Sequence, residues 1–188
     1  MSDWTRVKWT EARQIAEALE LEPEEWPDAR VTPQQGLALF LEQREAQGAI
    51  QYLGQALPRF EAVAWAAHEV GRQPGDLAPL QRQAMDRVLR WLGEPTEDFR
   101  LAVRAAGDKA KNGSPEQILA QAVFFSGGSM SEPDLPAVLP PLRLCGRFAA
   151  AAVILSCLQA ADPAAAMQQA IASGNQVAAG GIEAVSAA

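Results

Sequence analysis

A single histidine, two cysteines and one tyrosine are all that this 188-residue chain holds of those residue types. With His68 alone, a conventional nucleophilic triad or a multi-histidine metal site has little material, so no catalytic set, metal or cofactor is expected. Cys145 and Cys157 fall on one expected helix, where twelve positions separate them by about 18 Å. That exceeds the roughly 7 Å Cα spacing a disulfide tolerates. Two thiols that cannot bridge each other suggest a reducing compartment, and the expected location is the cytoplasm. Met1–Thr10 carries charges and tryptophan where a secretory signal requires an apolar stretch. The most membrane-like run, Phe148–Ala161, has fourteen uncharged residues, against the about 20 that a bilayer span needs. It reads as a buried core helix, with no membrane insertion.

Clustered positive charge is also lacking. Sixteen Lys and Arg stand against 23 Asp and Glu, a net charge of −7. Phosphate neutralisation needs grouped cations, so nucleic acid is not an expected partner, and an anionic lipid surface is disfavoured for the same reason. The charge is spread unevenly. Residues 1–31 hold eight acids against four bases, whereas residues 148–188 hold only Asp162 and Glu183. A stretch so poor in charge is either core or a surface facing a partner.

Strand signals are nearly absent: there is no sustained alternation and no Asn-Gly or Asp-Gly hairpin turn. Helix punctuation recurs instead. Thr10 is the expected cap of a helix through Ile15, Ala16 and Leu19. Thr32-Pro33 sets a capping hydroxyl before proline at the first helical position, opening a helix expected to stop near Gly48. A short helix follows over Ala49–Leu57. Pro58 opens Arg59–Gly71, with Phe60, Val63, Ala64, Ala67 and Val70 at helical spacing. Gln73-Pro74-Gly75 reads as a loop. Pro79–Leu92 and a helix from Pro95-Thr96-Glu97 come next. Ser114-Pro115-Glu116-Gln117 is a capping box with proline at the first helical position. Residues 126–142 show no periodicity and hold two Gly, four Pro and three Ser, so they read as a long loop. Arg143–Ala161 and a helix capped by Asp162-Pro163 form an apolar C-terminal pair over 143–181. The expected fold is all-α: one domain over 1–188, either a compact multi-helix bundle or a short helical-hairpin array, with about eight to nine helices. Residues 1–31 form its acidic N-terminal segment.

Candidate sites are few. Phe125-Ser126-Gly127-Gly128-Ser129 follows a helix rather than a strand, which is the wrong setting for a phosphate cradle or a nucleophile elbow. It reads as a helix stop leading into a loop, and a long loop inside a small domain is a place where binding concentrates. Trp65 and Trp91 lie at core-like phase, whereas Trp4, Trp9 and Trp26 fall outside or at the edges of helices. Exposed members of that group would be interface anchors. Arg59 and Glu61, beside Pro58, suit charge-assisted hydrogen bonds to a neighbouring loop.

Leu57-Pro58-Arg59-Phe60-Glu61-Ala62-Val63-Ala64-Trp65-Ala66, Pro95-Thr96-Glu97, and Phe124-Phe125-Ser126-Gly127-Gly128-Ser129-Met130 with its following prolines together resemble the signature of an uncharacterised all-helical bacterial family. Members of that family occur near type VI secretion genes. The resemblance covers about residues 10–182, with the motifs in order. It implies a helical, cytoplasmic accessory or adaptor protein whose partner is a secretion component or effector, and it defines no catalytic positions.

Two functions are therefore expected in competition. One is a non-catalytic interaction or adaptor module. The other is an enzyme or small-ligand protein with an unfamiliar site around His68 and the 126–142 loop. The candidate binding residues are Arg59, Glu61, Trp65, His68, Ser126, Gly127, Gly128 and Ser129. The enzyme reading needs the start of the Arg59–Gly71 helix to face the loop, with His68, Glu61, Arg59 and Ser129 converging.

Overall fold

Each expected helix start with a capping side chain before proline is used as a start. The computed structural model describes residues 3–72, 76–131 and 134–186. Nine α-helices occur among them: α1 (Ala12–Ala18), α2 (Pro33–Ala56), α3 (Arg59–Gly71), α4 (Pro79–Gly93), α5 (Glu97–Gly107), α6 (Pro115–Phe124), α7 (Leu142–Leu158), α8 (Pro163–Gly180) and α9 (Glu183–Ser186). A 3₁₀ turn covers Pro23–Glu25, and no strand occurs among the described residues. The side chains of Thr32, Ser114 and Asp162 accept the backbone N–H of Gln35, Gln117 and Ala165. Each satisfies a donor that a helix start leaves open. The expected loop at Gln73-Pro74-Gly75 lies outside the described residues.

The helix expected over Arg143–Ala161 runs Leu142–Leu158, and two further boundaries differ from expectation. The cap of α1 is Glu11, not Thr10. The Gln14 amide oxygen accepts from the backbone N–H of both Thr10 and Glu11 at 3.0 Å, so the helix closes one residue later. The break in α2 falls at Glu45, with φ +58°, three residues before Gly48. Gly48 is buried inside the second half, where a Cβ would collide with the Arg44 side chain. Its smallness serves packing rather than termination.

The charge-poor α7 lies at the centre, against α2, α3, α6 and α8. A helix that is apolar on nearly every side is stable only when surrounded. Because α2 and α3 both contact α7 and α8 across more than 80 positions of sequence, the helices close into a bundle rather than a linear array of hairpins. Where α2 crosses α7, Gly54 and Gly146 meet. A Cβ on Gly54 would lie 2.5 Å from the Gly146 carbonyl oxygen, and one on Gly146 would strike the Gly54 oxygen. The two backbones therefore touch.

Residues 3–31 strap this bundle. Trp4 Nε1 donates to Asn175 Oδ1 at 2.7 Å, Arg6 N donates to Ala178 O at 3.0 Å, and Ala12 N donates to Val31 O at 2.9 Å. Cys145 and Cys157 are buried, unpaired thiols on α7, and burial pushes them up to about 12 and about 11.

Candidate functional site

The long loop between α6 and α7 is held in place from below by two arginines. Arg100 on α5 is almost fully buried. Its Nη1 donates to Phe124 O at 2.6 Å and its Nη2 to Ser129 O at 2.9 Å. The same guanidinium forms a two-pronged pair with Glu97, at 2.7 and 2.6 Å. That hydrogen bond holds the Glu97 carboxyl below its usual range, against a smaller opposing effect of burial. Arg59, at the start of α3, donates from Nη1 to Ser126 O at 3.0 Å. The start of α3 therefore faces the loop.

The loop's own polar groups are turned inward. Ser126 Oγ donates to Val123 O at 2.7 Å, and Ser129 Oγ accepts from Ser131 N at 3.0 Å and Val138 N at 3.2 Å. Met130 N donates to Val138 O at 2.8 Å, which folds the loop back on itself. Gly128 has φ +66°, a conformation a side chain resists. A Cβ on Gly127 would meet open space.

His68 stands elsewhere. Nine positions along α3 carry it about 13 Å from Arg59 at helical rise. Its Nε2 lies 3.8 Å from Glu69 Oε1. Glu69 is the buried residue there, with 2% of its surface exposed. It accepts from Ser173 Oγ at 2.7 Å and pairs with Arg72 at 3.3 Å. Trp65, fully buried, donates from Nε1 to Ala170 O and to Ser173 Oγ, each at 3.1 Å. Arg72 reaches on to Gln169 Oε1 at 2.8 Å. This network joins α3 to α8 with its polar atoms paired, as a buried charge requires. Glu61 is half-buried at the loop end of the same helix. The eight singled-out residues thus fall into two groups: Arg59 with Ser126 at one end of α3, and Trp65 with His68 toward the other.

A concavity opens at the Arg59 end. It is a groove of about 600 Å³ between α1, the end of α2, the start of α3 and the start of α7. Its floor is the Gly54–Gly146 crossing, where Gln55 Nε2 donates to Arg143 O at 3.0 Å. Leu57 and Pro58 form one side. Trp9 forms another, with Nε1 donating to Gln55 O at 2.9 Å and its ring 37% exposed. Pro141 and Leu142 form the lip, with Leu142 81% exposed. Lys8, Arg59 and Arg143 bring positive charge to the groove, and Glu17 is the acid among its lining residues. Of the tryptophans near the N-terminus, only Trp9 is exposed, because Trp4 and Trp26 pack against the core.

The model for a family of unknown function, DUF6931, matches residues 36–178. The chain belongs to the DUF6931 family. No curated protein matches the chain, and no solved structure does. The family region supplies the floor and the α3 and α7 sides of the groove. Lys8, Trp9, Gln14, Glu17 and Ala18 come from residues that precede the DUF6931 match.

Sequence reasoning passed over Arg100, Glu69, Lys8 and Leu142. For Leu142 a signal existed: Leu135, Val138, Leu139 and Leu142 crowd one short proline-rich stretch, and all four are exposed. No local pattern marks Arg100 or Glu69 as buried.

Proposed function

We propose that this DUF6931 protein is a non-catalytic interaction module, and that the groove between α1, α2, α3 and α7 docks a segment of a partner protein. One observation carries the reading. The groove combines an exposed tryptophan and exposed leucine with a floor of touching backbones, the form in which helical proteins receive a partner's chain. Its volume falls within the range of sites that enclose a few side chains, about 300–1,000 Å³. The loop leading into Leu142 presents further apolar side chains to solvent. The alternative, an enzyme built around His68 and the 126–142 loop, finds less support in the geometry, since His68 meets Glu69 while the Ser126 hydroxyl is engaged by the end of α6 and that of Ser129 within its own loop. The motif resemblance supports a cytoplasmic adaptor for a bacterial type VI secretion system, with a secretion component or effector as the partner. No helix among the described residues is long and apolar enough to cross a membrane.

The test is affinity capture from cells that naturally contain the protein, comparing the native chain with a Trp9→Ala, Leu142→Asp variant. Both positions are exposed, so the variant should fold. A stoichiometric partner held by the native chain and lost by the variant is the expected result. A partner retained equally by both would show that docking occurs elsewhere.

A further inference from the structure

The groove's charge opposes that of the molecule carrying it. The chain has 23 acids and 16 bases, yet the groove is lined by three cations and one acid. Lys8 is exposed and makes no ion pair among the described residues. Arg59 commits one N–H to the Ser126 carbonyl and makes no ion pair among the described residues. Arg143 lies one turn from Arg147, and together they hold the Glu20 carboxylate at 2.7 and 2.6 Å. This end of α7 therefore already binds a carboxylate supplied by the chain's own acidic segment. The exposed Trp9 and Leu142 line the same groove.

Resting on the docking reading above, we propose that the groove's occupant is an acidic peptide segment of the partner protein. It lays an apolar side chain between Trp9 and Leu142 and sets flanking Asp or Glu residues against Lys8 and Arg59, beside the Arg143–Glu20 pair. Charge complementarity selects this occupant. A basic segment would meet Lys8 and Arg59 as like charges at close range, and a neutral one would leave both unanswered, whereas Arg143 is already answered by Glu20. A nucleic acid backbone presents a long ladder of phosphates that three cations cannot match, and the net charge of −7 would repel it.

The test uses the full chain, ¹⁵N-labelled, titrated with synthetic nine-residue probes. Each has a Leu-Pro-Leu centre, flanked on both sides by glutamate, by serine or by lysine. The readout is the Trp9 indole N–H and the Gly54 and Gly146 amides. The glutamate probe should shift these signals and bind about tenfold more tightly than the serine probe at low ionic strength, as two rim ion pairs would give. The lysine probe should bind more weakly still, and added salt should erase the difference. Lys8→Glu should narrow the glutamate preference without altering the fold. Equal binding of all three probes at these signals would overturn the acidic occupant while leaving groove docking intact. Shifts confined to other residues would overturn it too, as would citrate binding as tightly as the glutamate probe. The docking reading fails separately, if the captured partner ignores Trp9 and Leu142.

Discussion

Gly128 lies directly over Arg100: a Cβ on the glycine would come 2.6 Å from Arg100 Nη2 and 2.6 Å from Glu97 Oε2. The glycine has to be bare both for its φ of +66° and for the ion pair beneath it. The Ser-Gly-Gly-Ser stretch is thus shaped by a buried arginine 28 positions earlier in the chain. Gly128→Ala should destabilise the protein by about 2 kcal/mol, summing the strain of a left-handed alanine and displacement of the pair. Arg100→Ala should cost about 3 kcal/mol, since it strands the Phe124 and Ser129 carbonyls and empties the guanidinium's place. Urea unfolding of both variants measures this, and wild-type midpoints would refute the coupling.

Arg59 makes a charge-assisted bond to the Ser126 carbonyl. Losing it should lower stability by about 1–2 kcal/mol. Arg59→Ala is therefore expected to melt several degrees below wild type, and Arg59→Lys in between. An unchanged melting point would show that the bond does not hold the loop.

Glu69 is the buried acid that ties α3 to α8 through Ser173, with Arg72 beside it. Glu69→Ala removes the nearer of two acceptors of the Ser173 hydroxyl, strands Arg72 and leaves a cavity, at about 3 kcal/mol. Glu69→Gln keeps an acceptor and should recover part of that. Denaturant titration of the two variants separates the hydrogen bond from the charge.

The Glu97 carboxyl is held below its ordinary value of 4.5 by Arg100. A depressed folded-state value stabilises above the unfolded one, so this contribution is complete above about pH 5 and disappears as pH falls through the folded value. Glu97→Gln should flatten the acid limb of the stability curve relative to wild type. A limb of unchanged steepness would place the acid sensitivity elsewhere. Glu20 is lowered too, by its hydrogen bond to Arg147 and by the Arg143 charge, so Glu20→Gln should flatten the acid limb as well.

Burial lifts Cys145 to about 12 and Cys157 to about 11. Both thiols stay protonated at neutral pH and are shielded from reagents. Ellman's reagent should find no fast thiol in the native protein and two after unfolding. Rapid labelling of the native chain would show that α7 opens readily.

Local chemistry in the sequence was enough to establish the helices. Thr32-Pro33, Ser114-Pro115 and Asp162-Pro163 mark starts because a cap and its helix lie within three residues of each other. The bounds Arg59–Gly71 follow from Pro58 and the apolar spacing, and the uncharged run in α7 announces a buried helix before any neighbour is known. Where a local signal competes with packing it misleads: Gly48 looks like a stop, yet the chain breaks at Glu45 and keeps Gly48 for close contact with Arg44. The candidate site was legible at Arg59 and, as one of three N-terminal tryptophans, at Trp9. Its parts come together across the chain, with Trp9 bonding Gln55 at a separation of 46 residues and Gln55 bonding the Arg143 carbonyl at 88. Glu69 meets Ser173 across 104. Capping and periodicity act within one or two turns, whereas burial of a charge or the opening of a groove depends on which helices cross. Tertiary packing alone decided that Arg100 and Glu69 would be inside, and that Lys8, Arg59 and Arg143 would surround one groove.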